Sequence, residues 1–259
     1  TLSSASSGTI ADATGIGTII DNDANTVTFG NALNFDGTND LIDITDAANL
    51  DVTSNYTIEA WVYTSKALVN SHASATYQGI VSKGTYDYQL ALEDAVNAGE
   101  QATAKHNVFF YEDGAPTATN VLASGVGVSI NAWTHVAVTN DGTNHKIYLD
   151  GALVQTSTAT GMVDGARSLI IGASLKDGRT GSNGAADYTD WFNGAIDDVR
   201  LWSEARTTDE VNANKKVALR GDEEGLIGYW KLDNSLTDSV GIGSGDGVAN
   251  NGVFWDGDT

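Results

Sequence analysis

Short runs in which apolar and polar residues alternate recur along the chain and predict β-strands. In YTIEAWVY at 56–63, Ile58, Ala60 and Val62 would all face one side of an extended strand. Runs of this kind predict strands at 27–35, 56–63, 87–92, 107–111, 133–139, 146–149, 169–172 and 195–202.

Tight-turn signals separate these runs. Asp-Gly dipeptides occur at 36–37, 141–142, 150–151, 164–165 and 177–178. Glycine accepts a positive φ and aspartate hydrogen-bonds its own backbone, so such pairs reverse the chain between antiparallel strands. Short strands with frequent turns predict an all-β antiparallel sandwich.

A single helix is predicted at 206–216, near the C-terminus. Thr207 and Glu210 have the spacing of a capping box, and Lys215 and Lys216 follow where the helix dipole favours cations. A late strand is expected at 225–232. The tail 238–259 is rich in Gly, Asn and Asp and is predicted to be loop-like, with a short strand at 253–255.

Charge limits the classes of partner. The 259 residues include 34 Asp and Glu against 13 Lys and Arg, a net charge of −21. Nucleic acid is excluded as a ligand because phosphate binding needs a basic surface.

Cysteine is absent, so there are no disulfides or thiolate metal sites. No run reaches the roughly 18 apolar residues that suggest a spanning helix, so no membrane insertion is expected.

The acidic residues are unevenly distributed. Nine of them precede Lys66, the first basic residue, and no Lys or Arg follows Lys231. Self-repulsion of this size destabilises a compact state unless salt or bound cations offset it. Calcium suits oxygen ligands without cysteine, so Ca²⁺ is the predicted cofactor.

Five segments, in this order, resemble one family. They are LNFDGTNDLIDI at 33–44, YTIEAWVY at 56–63, WTHVAVTNDGTNHKIYLDGALV at 133–154, FNGAIDDVRLWSEARTTDEV at 192–211 and GLIGYWKLDNS at 225–235. Together they are similar to a laminin-G-like (concanavalin A-like lectin/glucanase) domain of the bacterial type. The resemblance implies an antiparallel jelly-roll β-sandwich over residues 25–259, with one short helix near the C-terminus.

The N-terminal stretch resembles something else. GTIADATGIGTIIDND at 8–23 is similar to the C-terminal end of a Calx-β domain, a module found in tandem in large secreted bacterial adhesins, often of the RTX type. The resemblance implies that residues 1–24 are a linker or the last strand of an upstream module. The alternative is an extra edge strand of the sandwich.

The laminin-G-like resemblance also implies a structural calcium site. In related jelly rolls an acidic early turn and a late strand share the ion, which here implies Asp36, Gly37, Asp40 and Asp197 as ligands. Asp198 is a weaker candidate, because adjacent residues of a regular strand point to opposite faces. The alternative is that Asp36 only forms a turn and Asp197 only pairs with Arg200 or a backbone amide.

A long connection at 176–190 is the predicted ligand-binding rim. Long loops on a rigid sandwich often carry function, and carboxylates, amides and an aromatic ring suit a calcium-assisted sugar site. The candidate residues are Asp177, Arg179, Asn183, Asp187, Tyr188 and Asp190. The alternative is a solvated loop without a ligand.

No catalytic motif is found. The family's hydrolases carry a Glu-x-Asp-x-x-Glu cluster, which is missing here, and no G-x-S-x-G elbow or metal-binding histidine spacing occurs. No enzymatic activity is expected.

The sequence therefore predicts a calcium-dependent, carbohydrate-binding, non-catalytic module of a bacterial adhesin, secreted or on the cell surface. Its expected partners are a glycan or cell-surface polysaccharide and neighbouring modules of the same chain, and the module is expected to be a monomer. Two alternatives remain: a calcium-stiffened spacer without a ligand, or a module of a polysaccharide-degrading enzyme.

Overall fold

The structure, a computed structural model, describes residues 31–66, 77–84, 87–93, 105–112, 119–159, 165–175, 187–241 and 245–255, with the backbone alone at 119–126. In chain order the strands are β1 (Leu33–Asp36), β2 (Leu41–Ile44), β3 (Tyr56–Thr64), β4 (Tyr77–Lys83), β5 (Tyr88–Glu93), β6 (Lys105–Glu112), β7 (Thr119–Ser129), β8 (Thr134–Asn140), β9 (Asn144–Leu149), β10 (Ala152–Thr158), β11 (Leu169–Ile171), β12 (Ser174–Leu175), β13 (Tyr188–Thr189), β14 (Asn193–Trp202), β15 (Leu226–Trp230), β16 (Gly247–Asn250) and β17 (Phe254–Trp255). The described chain also forms a 3-10 turn at Ala48–Leu50 and one α-helix, α1 (Thr208–Asn214).

Two antiparallel sheets form the sandwich. The first sheet has the strand order β10–β9–β8–β3–β14–β1–β17, with β15 also paired to β14. The second has the order β16–β2–β11–β4–β5–β6–β7. Of the thirteen strand pairings described in the two sheets, seven join strands that are not consecutive in the chain, and the predicted fold class is confirmed.

The main core lies between the sheets. Inward residues of β3, β5, β6 and β8 include Ile58, Leu90, Phe110 and Val138, all completely buried. The alternation that predicted β3 therefore reflects one inner and one outer face.

A β-bulge interrupts β14 on the outer side of the first sheet. Between the pairs Asp197–Trp61 and Arg200–Glu59, β14 contains one residue more than β3. Asp198 has a φ of 50°, so the chain is locally left-handed there. The prediction that Asp197 and Asp198 point to opposite faces assumed a regular strand, which this bulge removes.

A buried ionic network occupies the outer face of the first sheet. Trp202 Nε1 donates to Glu59 Oε1 at 2.9 Å, Arg200 Nη1 lies 3.6 Å from the same oxygen, and His135 Nε2 lies 3.3 Å from Glu59 Oε2. Burial alone would raise the pKa of Glu59, but hydrogen bonding and charge from His135, with Arg200 and Trp202, lower it to about 2. The carboxylate is therefore held in its charged form.

The same face anchors α1 by its C-terminal end. Arg200 donates to the carbonyls of Asn214 at 3.0 Å and Val217 at 2.7 Å, and Trp61 Nε1 donates to the Lys215 carbonyl at 2.6 Å. The last carbonyls of a helix lack intrahelical partners, so side chains of the sheet satisfy them. The guanidinium also opposes the negative end of the helix dipole.

A small second core lies on the outer face of the second sheet. The hairpin β12–β13 covers β2 and β11 there, and the cluster, called the outer core below, contains Leu41, Ile170, Ala173, Leu175 and Tyr188, with Trp191 against it. Gly79 of β4 allows this close packing, since a Cβ at that position would lie 2.6 Å from the Ala173 carbonyl carbon.

The C-terminal segment closes one edge of both sheets. β16 pairs with β2 and β17 pairs with β1, so consecutive strands of the tail belong to different sheets. β17 confirms the strand predicted at 253–255, whereas β16 lies in a stretch predicted to be loop. In the described part of the chain, no helix has the length and apolar character to cross a membrane.

Candidate functional site

The outer face of β4, β5 and β6 extends beyond the outer core. Its outward positions form three rows across the strands, and these are Tyr77–Glu93–Asn107, Gly79–Ala91–Phe109 and Ser82–Gln89–Tyr111. Gly79 and Ala91 in the middle row are small and buried and form the floor, with the Ala173 backbone packed against Gly79. Half-buried side chains surround this floor and are called the β4–β6 face below; they are Tyr77, Gln89, Glu93, Tyr111 and Asp190.

Asp190 connects this face to the end of β13. The Gly79 N–H donates to the Asp190 carbonyl at 2.6 Å, and Gln89 Nε2 donates to Asp190 Oδ2 at 3.1 Å. Asp190 has a φ of 53°, a left-handed conformation that aspartate tolerates better than most residues. The backbone contact with β4 therefore places the carboxylate beside the floor.

Tyr77 forms the aromatic part of the face. Its ring lies 4.7 Å from that of Phe109, centroid to centroid, at an interplanar angle of 41°. Burial, followed by the charges of Glu93 and Asp190, raises the pKa of Tyr77, so both carboxylates lie near its phenol. Asn107 Nδ2 donates to Glu93 Oε2 at 3.2 Å and orients that carboxylate.

These groups suit a polyhydroxylated ligand. An aromatic ring can pack against the apolar face of a sugar, while its hydroxyl forms a hydrogen bond. Carboxylate oxygens accept hydrogen bonds from hydroxyl groups, and amide side chains both donate and accept. The β4–β6 face combines these groups over one floor.

The predicted rim residues have different positions. Asp190 lies on the β4–β6 face, whereas Asp187 is completely buried. Tyr188 is 5% exposed and packs in the outer core, with its hydroxyl 3.5 Å from Asp43 Oδ2. Burial, with the charges of Asp43 and Asp187, raises the pKa of Tyr188 to about 12. The candidates Asp177, Arg179 and Asn183 lie outside the described residues.

The early part of the predicted calcium site is a tight turn held by backbone amides. Asp40 is 1% exposed; its Oδ2 accepts from the Asp36 N–H at 2.9 Å and its Oδ1 from the Gly252 N–H at 2.8 Å. Asp36 Oδ1 accepts from the Thr38 N–H at 2.7 Å, and Gly37 has a φ of 80°. These carboxylates close the turn and fasten the C-terminal segment to it.

The late part of that site is separate. Asp36 pairs with Asn193, and Asp197 lies four residues further along β14, about 13 Å at the usual rise. Asp197 and Asp198 instead lie near Asp233, whose charge acts on Asp197. Among the described residues, no group of three or more His, Asp or Glu could hold a metal ion. Calcium binding stays a prediction.

Two acid–base pairs resemble catalytic groups but are buried away from solvent. His145 Nε2 lies 2.8 Å from Glu112 Oε2 inside the main core, where Tyr56 and Asn140 also donate to that carboxylate. All four residues are completely buried. The Glu59 network is likewise buried under α1 and the chain that follows it. Neither pair can reach a substrate in this structure.

Four residues of the β4–β6 face were missed by sequence reasoning: Tyr77, Gln89, Glu93 and Tyr111. β4 was not predicted, so its register with β5 was unknown. The available signal was the alternation within β5 and β6, which gives outward positions but not which strands are neighbours.

Comparisons with known proteins agree with this architecture. The family model described as the concanavalin A-like lectin/glucanases superfamily matches residues 36–212. No curated protein matches the chain.

Several solved structures share the fold. A candidate carbohydrate-binding protein of Bacteroides ovatus is 23% identical, with a TM-score of 0.64 over 88% of this chain, which spans 59% of that protein. A heptameric SAP-like pentraxin of Limulus polyphemus is 15% identical, with a TM-score of 0.58 over 88% of this chain and 94% of its own.

Proposed function

This chain belongs to the concanavalin A-like lectin/glucanases superfamily, and we propose that it is a carbohydrate-binding module without catalytic activity. One observation carries the proposal: the half-buried side chains of Tyr77, Gln89, Glu93, Tyr111 and Asp190 lie around one floor on the outer side of the second sheet. The description of the Bacteroides ovatus structure as a candidate carbohydrate-binding protein is consistent with it.

The hydrogen bonds on this face favour binding over hydrolysis. A glycosidase needs a protonated carboxyl group that donates to the leaving oxygen and a second, charged one. Here both Glu93 and Asp190 accept a hydrogen bond from an amide N–H. Both carboxyl groups are therefore engaged as acceptors within the face.

A glycan array followed by calorimetry tests the proposal. Wild-type protein and the Tyr77→Ala variant would be screened against neutral and acidic oligosaccharides, with calcium and with chelator, and sugar release would be measured in parallel. Removing the ring should weaken binding at least tenfold, about 1.4 kcal/mol, as for other interface aromatics.

Tyr63→Ala is the matched control. Tyr63 is also half-buried and packs against a second ring, Trp133 at 5.7 Å, but lies on the outer face of the other sheet. This variant should bind as the wild type does. Binding lost in Tyr63→Ala and kept in Tyr77→Ala would move the site to the first sheet, and sugar release would contradict the non-catalytic assignment.

We propose that the module belongs to a secreted or surface-attached bacterial protein; the resemblance of residues 8–23 to the end of a Calx-β domain supports this location. Fractionation of the native host with an antibody to this chain tests the location. Detection in the cytoplasm alone would contradict it.

A further inference from the structure

The charged groups of the β4–β6 face are of one sign. Glu93 and Asp190 are its two charged members; Glu93 lies opposite Tyr77 in the pairing of β4 with β5, and both charges contribute to the raised pKa of Tyr77. Lys105 also points outward on β6, but it lies two residues before Asn107, about 7 Å further along the strand. The described part of the face therefore surrounds Tyr77 with negative charge.

The amide side chains of the face donate hydrogen bonds to these carboxylates. Gln89 donates to Asp190 and Asn107 donates to Glu93. Each amide thus uses one of its two N–H donors within the face. The Glu93 and Asp190 carboxylates would repel a negatively charged ligand group, and the amide and phenol donors of the face carry no positive charge to offset this.

We propose that the β4–β6 face selects sugar residues that present hydrogen-bond donors and carry no negative charge, namely neutral sugars and amino sugars, and rejects uronate and sialylated glycans. This inference rests on the proposed carbohydrate-binding function and names its ligand class. Ring stereochemistry is set by finer geometry and is left to the test.

The test uses pairs of related glycans in which only one member carries carboxylate groups. Galactan is compared with polygalacturonate, mannan with polymannuronate, and sialyllactosamine with lactosamine; chitin and chitosan hexaoses add the acetylated and free amino sugars. Array retention selects the best pair, and calorimetry gives the ratio of its two affinities. We expect the uncharged member to bind at least tenfold more tightly than its acidic partner.

Charge-removing variants show whether the face itself causes this preference. Glu93→Gln and Asp190→Asn together keep an acceptor oxygen for Asn107 and Gln89, and asparagine tolerates the left-handed backbone at 190. This double variant should reduce the affinity ratio to within about threefold. The control double variant, Asp222→Asn with Glu224→Gln, removes the same charge from exposed positions and should leave the ratio unchanged.

The outcomes separate the inference from the function it rests on. If acidic glycans bind as well as neutral ones, the charge selection is overturned while carbohydrate binding stands. An equal change in both double variants would assign the preference to the net charge of the protein, which also overturns it. If no glycan of any pair is retained, the proposed function fails and the inference fails with it.

Discussion

At the residue scale, the surroundings of Asp197 raise the pKa of its carboxyl group, so it keeps its proton to a higher pH than an exposed aspartate. It is 1% exposed at the bulge of β14, and burial, with the charges of Asp198 and Asp233, raises its pKa to about 8. In the unfolded chain the same carboxyl has a pKa of about 4. Between these values the folded protein holds a proton that the unfolded chain releases, so stability falls as pH rises through this window.

Asp197→Asn should remove this pH dependence. The amide oxygen can still accept the Asp198 N–H, which now reaches Asp197 Oδ1 at 3.0 Å. In chelator, urea unfolding at pH 5, 6.5 and 8 should show the wild type losing stability with pH more steeply than the variant. At pH 8 the variant should be more stable by on the order of 1–3 kcal/mol. Exposed Asp222→Asn is the control, and parallel curves for wild type and Asp197→Asn would contradict the expectation.

At the scale of single elements, α1 is short and depends on its ends. Its capping box is as the sequence predicted: Thr207 Oγ1 accepts from the Glu210 N–H at 3.3 Å, and Glu210 Oε2 accepts from the Thr207 N–H at 2.8 Å. Val211 is buried against the sheet, and Arg200 holds the other end. Seven residues are too few to form a stable helix alone, so these contacts maintain it.

Thr207→Ala should therefore destabilise the whole domain modestly. Loss of the cap removes one acceptor for the first-turn amides, at a cost of about 1 kcal/mol. Urea unfolding measures the change, and Thr208→Ala, an exposed substitution one position into the helix, is the matched control. Equal destabilisation of the two variants would argue against the capping role.

The secondary-structure elements differ in how close in sequence the residues that determine them lie. Seven of the eight strands predicted from alternation and the capping box are confirmed, because each depends on neighbours within a few residues. Of the strand predicted at 27–35, residues 27–30 lie outside the described residues and β1 begins at Leu33. The bulge in β14 and the strands β2, β4, β7, β12, β13 and β16 were not predicted. Short strands such as β12 exist here through the outer core, a tertiary contact that leaves no period in the sequence.

The candidate site depends on the same long-range packing. Asp190 was predicted as a site residue from loop length and lies on the β4–β6 face, but Tyr188, chosen for its ring, packs in the outer core. Tyr77 and Glu93 come together only through the pairing of β4 with β5. Residue type and loop length could indicate the region of the candidate site, whereas the register of β4, β5 and β6 determines which residues belong to it.

At the scale of the whole molecule, the domain extends well past the family match, which ends at residue 212. β15 pairs with β14, and Tyr229, Trp230 and Leu232 are completely buried. Burying a large apolar side chain contributes about 1.5–3 kcal/mol, against a total stability of roughly 5–15 kcal/mol.

A chain ending at residue 212 should therefore fail to fold. Near-ultraviolet circular dichroism and size-exclusion chromatography should show lost tertiary structure or aggregation. A chain ending at Trp255, which keeps β15, β16 and β17, is the control and should unfold as cooperatively as the full chain. Cooperative unfolding of the 1–212 chain would show that the C-terminal segment is dispensable.

The high negative charge of the molecule predicts calcium binding, which a thermal melt can test without knowledge of where the ion binds. Chelator-treated protein would be melted with added Ca²⁺ or Mg²⁺ at fixed ionic strength. Binding to the folded state alone should raise the midpoint with ion concentration, and more for Ca²⁺ than for Mg²⁺. Asp36→Asn and Asp197→Asn would locate the ion at the turn or at the bulge. An unchanged midpoint in millimolar Ca²⁺ would contradict the calcium prediction.

The pairing of the first strand with the last has a mechanical consequence. Leu33, where β1 begins, lies opposite Trp255, where β17 ends, and Asn34 opposite Phe254. Chain segments before β1 and after β17 therefore leave from the same end of one antiparallel pair. Tension between these segments would load the hydrogen bonds of the β1–β17 pair one after another, so β17 would separate from β1. The rest of the sandwich would lie off the line of force.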